Sequence, residues 1–268
     1  MHTPAERSLP ARLFGGERGP FRHHLGLARC ETRDFYAPTD RATELRAEKE
    51  AVLSLPDAAL YGVASPAGWR AVEEFAAGLP SLAENAALPA GPERHRAIAL
   101  ALEPDVVLLS APDACLTWAS VCFPTRWSLE GKLGQPLTQI HSVVPRLNEE
   151  LGRKVGQFFA RMKPGEGWSR ANWGLSASGA LNQHPTRPHV ELTAHTPPDA
   201  VFVRIEAQHL VRLPDTGAIA FGIRVVNFPL PAILADPDLA AGLRNQLRTM
   251  PADVAAYKGI PADYWQRL

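Results

Sequence analysis

Val201-Phe-Val-Arg-Ile-Glu-Ala-Gln-His-Leu-Val-Arg-Leu213, then Pro214-Asp-Thr-Gly217, then Ala218-Ile-Ala-Phe-Gly-Ile-Arg-Val-Val-Asn-Phe228 is the stretch on which the fold turns. Two β-rich runs flank a Pro-Asp-x-Gly turn. Proline presets φ and glycine accepts a positive one, so the pattern predicts a long hairpin. An even-numbered loop sets residue 207 opposite residue 224. Arg224 then shares a face with Ala220, Gly222, Ala207 and His209. Small residues beside an arginine leave room for a planar ligand whose carboxylate Arg224 holds. A solvent-facing strand explains the same residues equally well, and an odd-numbered loop would separate them.

Outward from the hairpin, Asp105–Leu109 and Leu116–Phe123 read as two more strands around Ala111-Pro112-Asp113. Helices are expected from Thr39-Asp40 to near Pro56, from Ser65-Pro66 to before Pro80, over Leu147–Met162, over Leu239–Arg248 and over Pro251–Lys258. Ser128–Leu133 reads as a helical turn, Gln135–His141 as a turn or loop, and Ala86–Pro92 as a loop. Strands cluster between helices without alternating, so the fold class is α+β with an antiparallel sheet. Residues 1–20, with Pro4, Pro10, Gly15, Gly16, Gly19 and Pro20, are expected to be a flexible N-terminal arm, and residues 21–268 one domain.

The 28 basic and 28 acidic residues cancel, which gives no pull toward nucleic acid or an anionic membrane. Three scattered cysteines without a C-x-x-C pair exclude a disulfide framework and a zinc ribbon. No signal peptide and no apolar run of roughly 18 residues is visible, so a cytoplasmic protein with no membrane partner is expected. P-loop, dinucleotide, H-E-x-x-H and G-x-S-x-G motifs are missing. His189, Glu191 and His195 are possible metal ligands in what also reads as a proline-rich surface loop. His23-His24 reads as surface. His141 lies in an apolar setting, either as a core histidine or as an axial ligand to a flat cofactor.

Cys122-Phe-Pro-Thr-Arg-Trp127, Lys132-Leu-Gly134 and Ile140-His-Ser-Val-Val-Pro145 together resemble the haem-dependent oxidative N-demethylases. Arg170-Ala-Asn-Trp173, Arg204–Leu210, Arg212-Leu-Pro214, Ile223-Arg224 and Tyr257-Lys-Gly259 extend the resemblance, and Leu25-Gly-Leu27 with Asp34 and Tyr36 begins it weakly. It covers roughly residues 22 to 260. The resemblance implies a PAS-like sheet that binds haem b, activates O2 and converts a small secondary amine to a primary amine and formaldehyde. Electrons would come from flavin and iron–sulfur reductase subunits, because this chain has no cysteine set for a cluster.

On that basis His141 is the expected iron ligand, with Cys122 as rival thiolate. Arg224 and Arg170, with Lys132 as a third, are expected at the haem propionates. Trp127 and Trp173 are expected as cofactor walls. Glu206 either meets an ammonium substrate or bridges Arg204 or Arg212. The family places an arginine where Ala207 stands and a small polar residue where His209 stands. A non-catalytic haem-binding or gas-sensing protein therefore remains the alternative, and a binding protein without haem a third.

Overall fold

In the computed structural model, described for residues 3–16, 19–79 and 92–268, a seven-stranded antiparallel sheet carries the chain. In chain order its strands are β1 (Ala28–Arg29), β2 (Gly62–Ala64), β3 (Asp105–Leu109), β4 (Leu116–Ser120), β5 (Trp168–Ser176), β6 (Phe202–Arg212) and β7 (Ile219–Pro229). Their order across the sheet is β1-β5-β6-β7-β3-β4-β2. The mixed α+β class holds.

The hairpin is the centre of the sheet. Leu213 and Ala218 close a four-residue loop, and Gly217 takes a φ of 68°. The register runs without a slip from Phe202–Pro229 to Arg212–Ile219 and sets Ala207 opposite Arg224. The loop is tied down because Asp215 N and Thr216 N donate to the Glu74 carboxylate at 2.6 and 2.8 Å.

The helices, in chain order, are α1 (Pro4–Arg7), α2 (Leu9–Phe14), α3 (Thr32–Tyr36), α4 (Ala42–Val52), α5 (Pro66–Ala77), α6 (Pro92–Ala101), α7 (Leu137–Ile140), α8 (Arg153–Arg161), α9 (Leu230–Leu234), α10 (Pro237–Thr249) and α11 (Ala252–Tyr257). Ser65 caps α5 by accepting from Gly68 N at 3.1 Å. The helix expected over Leu147–Met162 begins with a π-helical turn, Asn148–Gly152, before α8. The loop expected at Ala86–Pro92 lies outside the described residues except for Pro92, which starts α6.

Two features were not expected. The described part of residues 1–20 carries two short helices. Thr3 and Glu6 form a capping box on α1, and α2 buries Leu9, Leu13 and Phe14. Phe14 is fully buried and packs so closely on α10 that a Cβ at Gly242 would meet Phe14 O at 1.8 Å. The cause is three apolar side chains hidden among prolines and glycines. Strand β5 was not expected at all. Ser169, Arg170, Ala171, Asn172 and Gly174 are poor strand formers, and nine consecutive pairs with β6 override their propensity.

The sheet has two unlike faces. The first carries Trp173, Ala171, Ile205, Ala207, His209, Gly222 and Arg224. At one end α2 and α10 cover it, with Leu13, Phe14, Leu243 and Leu247 on Trp173, Val203, Ile205 and Phe228. At the other, α5 and α6 bring Val72, Phe75 and Ile98 onto Leu108, Trp118 and Ala220. Between them α3 fills the middle. Tyr36 approaches so tightly that a Cβ on Gly222 would lie 2.4 Å from its hydroxyl, and Phe35 stacks on His209 at 5.0 Å.

The second face carries Arg170, Asn172, Arg204, Glu206, Gln208, Ile223 and Val225. Leu45 and Val52 of α4, with Phe123, Leu129, Phe159 and Met162, pack on its apolar half. A buried ion pair, Lys49 Nζ to Asp105 Oδ1 at 3.1 Å, joins α4 to β3, and Asp105 Oδ2 accepts from Phe123 N at 2.7 Å. The segment after Cys122 is thereby anchored at its start.

His209 is fully buried with no hydrogen-bond partner on either ring nitrogen, and burial pushes its pKa down to about 4. The unfolded chain takes up a proton near the ordinary histidine value, about 6.5. The folded chain does so only near 4. Stability attached to neutral His209 is therefore present at neutral pH and lost as pH falls through that window. We expect His209→Leu to flatten the decline of the urea midpoint between pH 7 and pH 5; a slope equal to wild type would refute this.

Candidate functional site

Arg204 organises the second face. Its side chain is 2% exposed, and it donates to Thr125 Oγ1 (2.9 Å), Phe123 O (3.0 Å), Ala180 O (3.0 Å) and Leu181 O (2.8 Å). Two loops, 123–125 and 180–181, are pinned to β6 by one guanidinium. Burial lowers its pKa to about 10, with Glu206 and Asp105 opposing the shift. Beyond this anchor Arg126 sits at φ 59°, a left-handed conformation rare for a residue other than glycine. Its guanidinium lies against Gly259, where a Cβ would come within 2.3 Å of Nη1. The Phe123–Trp127 turn thus meets the C-terminal Tyr257-Lys258-Gly259 segment.

Six polar side chains follow in and against the same face. Thr125 Oγ1 donates to Glu206 Oε1 (2.7 Å), and Gln208 Nε2 donates to Glu206 Oε2 (3.0 Å). Arg170 Nη1 donates to Gln208 Oε1 (3.0 Å), and its Nε donates to Leu25 O (3.0 Å). Lys258 Nζ donates to Trp173 O at 2.6 Å and Asn172 Oδ1 at 3.4 Å. Burial pulls the Lys258 pKa down to about 8, with Glu206 raising it and Arg170 lowering it. Arg170 itself is lowered by burial.

His141 follows α7 at the start of a short 3-10 turn and is half-buried. Its pKa is pushed down to about 4, first by burial and then by the Arg170 guanidinium; no hydrogen bond contributes. The imidazole is therefore neutral at physiological pH, the form that ligates metals. Trp127, Leu137, Ile140, Val155, Phe158, Trp168 and Phe221 pack on the second-face core without being fully buried, and Ile140 adjoins His141 in the chain. Trp168 Nε1 is a buried donor with no acceptor. Arg146 clamps the turn to α11 through Asp253 at 2.8 Å, and His23 Nε2 reaches Pro145 O at 3.0 Å.

The structure brings His141, Arg170, Glu206 and Trp127 to this face and takes Arg224 and Trp173 away from it. Arg224 is 7% exposed on the first face, ion-paired with Glu103, and donates to Phe35 O at 2.6 Å. The register was right, but α3 fills the space that small residues had suggested was open. Trp173 is core, edge-on to Phe14 at 5.0 Å beneath α2. Lys132 donates to Ser128 O at 2.6 Å and stands 5.8 Å from the Trp127 ring centre.

Cys122 is fully buried, and burial pushes its thiol up to about 12, against a thiolate role. Glu206 bridges neither Arg204 nor Arg212; Arg212 instead caps α8 through Met162 O and Phe159 O. His189, Glu191 and His195 are exposed, and among the described residues no group of three or more His, Cys, Asp or Glu is placed to hold a metal ion. Thr125, Gln208, Asn172 and Lys258 were not singled out from sequence as site residues. The alternation 204, 206, 208 along β6 was the available signal for Gln208; nothing local marks Asn172.

Among the described residues no helix is long and apolar enough to cross a membrane. A protein-family model described as haem-dependent oxidative N-demethylase, alpha subunit-like, matches residues 83–267, more than half of the chain.

Arg204→Met leaves the carbonyls of Phe123 and Leu181 without a donor, each costing about 1–3 kcal/mol. We expect a loss of roughly 3–5 kcal/mol in urea unfolding; a change below about 1 kcal/mol would show that water replaces the guanidinium.

Proposed function

Because the chain belongs to the haem-dependent oxidative N-demethylase, alpha subunit-like family, we propose that it holds haem b through His141 and demethylates a small secondary amine. The observation that carries this is the half-buried His141, whose pKa is pushed down by burial and by the Arg170 guanidinium, next to Ile140 on a second-face core where Trp127, Phe158, Trp168 and Phe221 are incompletely buried. An unpartnered buried indole donor at Trp168 further fits a site built for a ligand.

The residues fit the group. His141 would ligate the iron. Arg170, with Lys132 as second cation, would face the propionates. Trp127, Phe158, Trp168 and Phe221 would supply apolar walls. Haem, when bound, supplies the oxygen activation and the oxidising power.

The chain's own contribution is binding and orientation. Glu206 is the acceptor for a substrate ammonium, held by Thr125 and Gln208. Lys258 Nζ holds an exchangeable proton with a pKa of about 8, close enough to feel Glu206. The apolar walls keep water from the reacting methyl group. The overall change takes the secondary amine, O2, two electrons and two protons to primary amine, formaldehyde and water. The electrons belong to a separate flavin or iron–sulfur reductase subunit, in keeping with an alpha-subunit-like chain. A PAS-like descent of the sheet and a cytoplasmic location are parts of this same proposal.

The departures at Ala207 and His209 do not weaken the catalytic reading. Both lie on the first face, where Phe35 and Tyr36 cover His209, and neither shares a face with Glu206. The gas-sensing alternative loses the support it drew from them.

Purified protein should show a Soret band and release formaldehyde from dimethylamine in the presence of reductant. We expect His141→Ala to abolish the band, with Cys122→Ser and Arg224→Gln keeping it; loss of haem in Cys122→Ser alone would transfer the ligand role to sulfur. A stable oxygen complex with no formaldehyde would favour the sensor.

A further inference from the structure

Glu206 stands among three cations, and none of them pairs with it. Arg204 spends its donors on Thr125 and backbone carbonyls. Arg170 donates to Leu25 O, His24 O and the Gln208 amide. Lys258 donates to Trp173 O and Asn172 Oδ1. All three nonetheless act electrostatically with Glu206. The hydrogen bonds that reach its oxygens come from two neutral side chains, Thr125 and Gln208.

Those two donors are themselves set by the cations behind them. Arg204 Nε donates to the Thr125 oxygen, so the Thr125 hydrogen is free to go to Glu206 Oε1. Arg170 Nη1 donates to Gln208 Oε1, which turns the amide so that Nε2 meets Glu206 Oε2. The chain Arg204–Thr125–Glu206–Gln208–Arg170 therefore has one sense from each end, converging on the carboxylate. Arg204 and Gln208 are 2% and 6% exposed, so these two links cannot swing into water. The carboxylate is oriented before any ligand arrives, and its charge is not cancelled by a direct ion pair.

We propose that Thr125 and Gln208 are positioning residues that hold the Glu206 carboxylate as a fixed, unpaired acceptor for the ammonium of the substrate. The ligand's identity rests on the function proposed above; the positioning of the carboxylate does not. A protein cation bonded to Glu206 would have to be displaced by the substrate. Neutral donors leave the remaining lone pairs for an N–H of the incoming amine.

The test uses the full haem-loaded chain. Thr125→Val removes the hydroxyl at constant shape, and Gln208→Met removes the amide at constant length. Each is expected to raise KM for dimethylamine about tenfold while kcat changes less than about threefold, the loss of one hydrogen bond to a charged group. Thr125→Ser should return KM to near wild type.

A second readout needs no turnover. The Glu206 carboxylate band, assigned by infrared subtraction against Glu206→Gln, should shift in both variants without amine. Shifted bands in a protein that never demethylates amines would uphold the positioning and sink the proposed function. Unshifted bands and unchanged KM, with wild-type turnover intact, would overturn the positioning and leave the function standing. If Thr125→Val fails to fold, Gln208→Met decides alone by the same two readings.

Discussion

A guanidinium almost shut off from water binds two loops to β6, and the polar array of the second face is built outward from it. Arg204 satisfies the carbonyls of Phe123 and Leu181, shares that of Ala180 with the Gln183 amide, and orients the Thr125 hydroxyl. A lysine offers one compact ammonium and could not span these partners; the planar fork of arginine can. The same contact leads into Arg126 in its left-handed conformation and on to Gly259, so β6, the Phe123–Trp127 turn and the C-terminal segment are set by a common anchor.

The sheet divides the work between its faces. The first face satisfies its buried charge internally: Arg224 pairs with Glu103, and Glu103 also accepts from the Thr39 hydroxyl at 2.9 Å. It ties α3, α4 and α6 to the hairpin and has no room left for a ligand. The second face holds the Glu206 carboxylate by neutral donors rather than by a direct ion pair, and no hydrogen bond among the described residues reaches the His141 imidazole. That is the physical contrast between the two sides of one sheet, and it suits the function proposed for the second.

The hairpin, its even-numbered turn and the 207–224 pairing were legible because turn chemistry and period-two alternation are local signals. His141 and Arg170 came forward only through motifs that resemble the family, and their roles are part of the proposal. Arg224 shows where such reading stops: its register was correct, yet its role depended on Phe35 and Tyr36, some 190 residues earlier in the chain, arriving over Gly222. Strand β5 was missed because its residues favour no strand until β6 lies beside them. The N-terminal helices were missed because their three anchoring side chains are spread among residues that read as loop.

By itself the sequence determined the α+β class, the central hairpin with its register, and the motifs that carry the family. Those follow from interactions within a few residues of one another, or from residue types that match in order. Tertiary structure alone decided which side chains share a face and what covers each face. It also decided that Glu206 is held by Thr125 and Gln208 rather than by an arginine. Donors from three separate segments compete for the same acceptors, and only the folded geometry sets which of them reach.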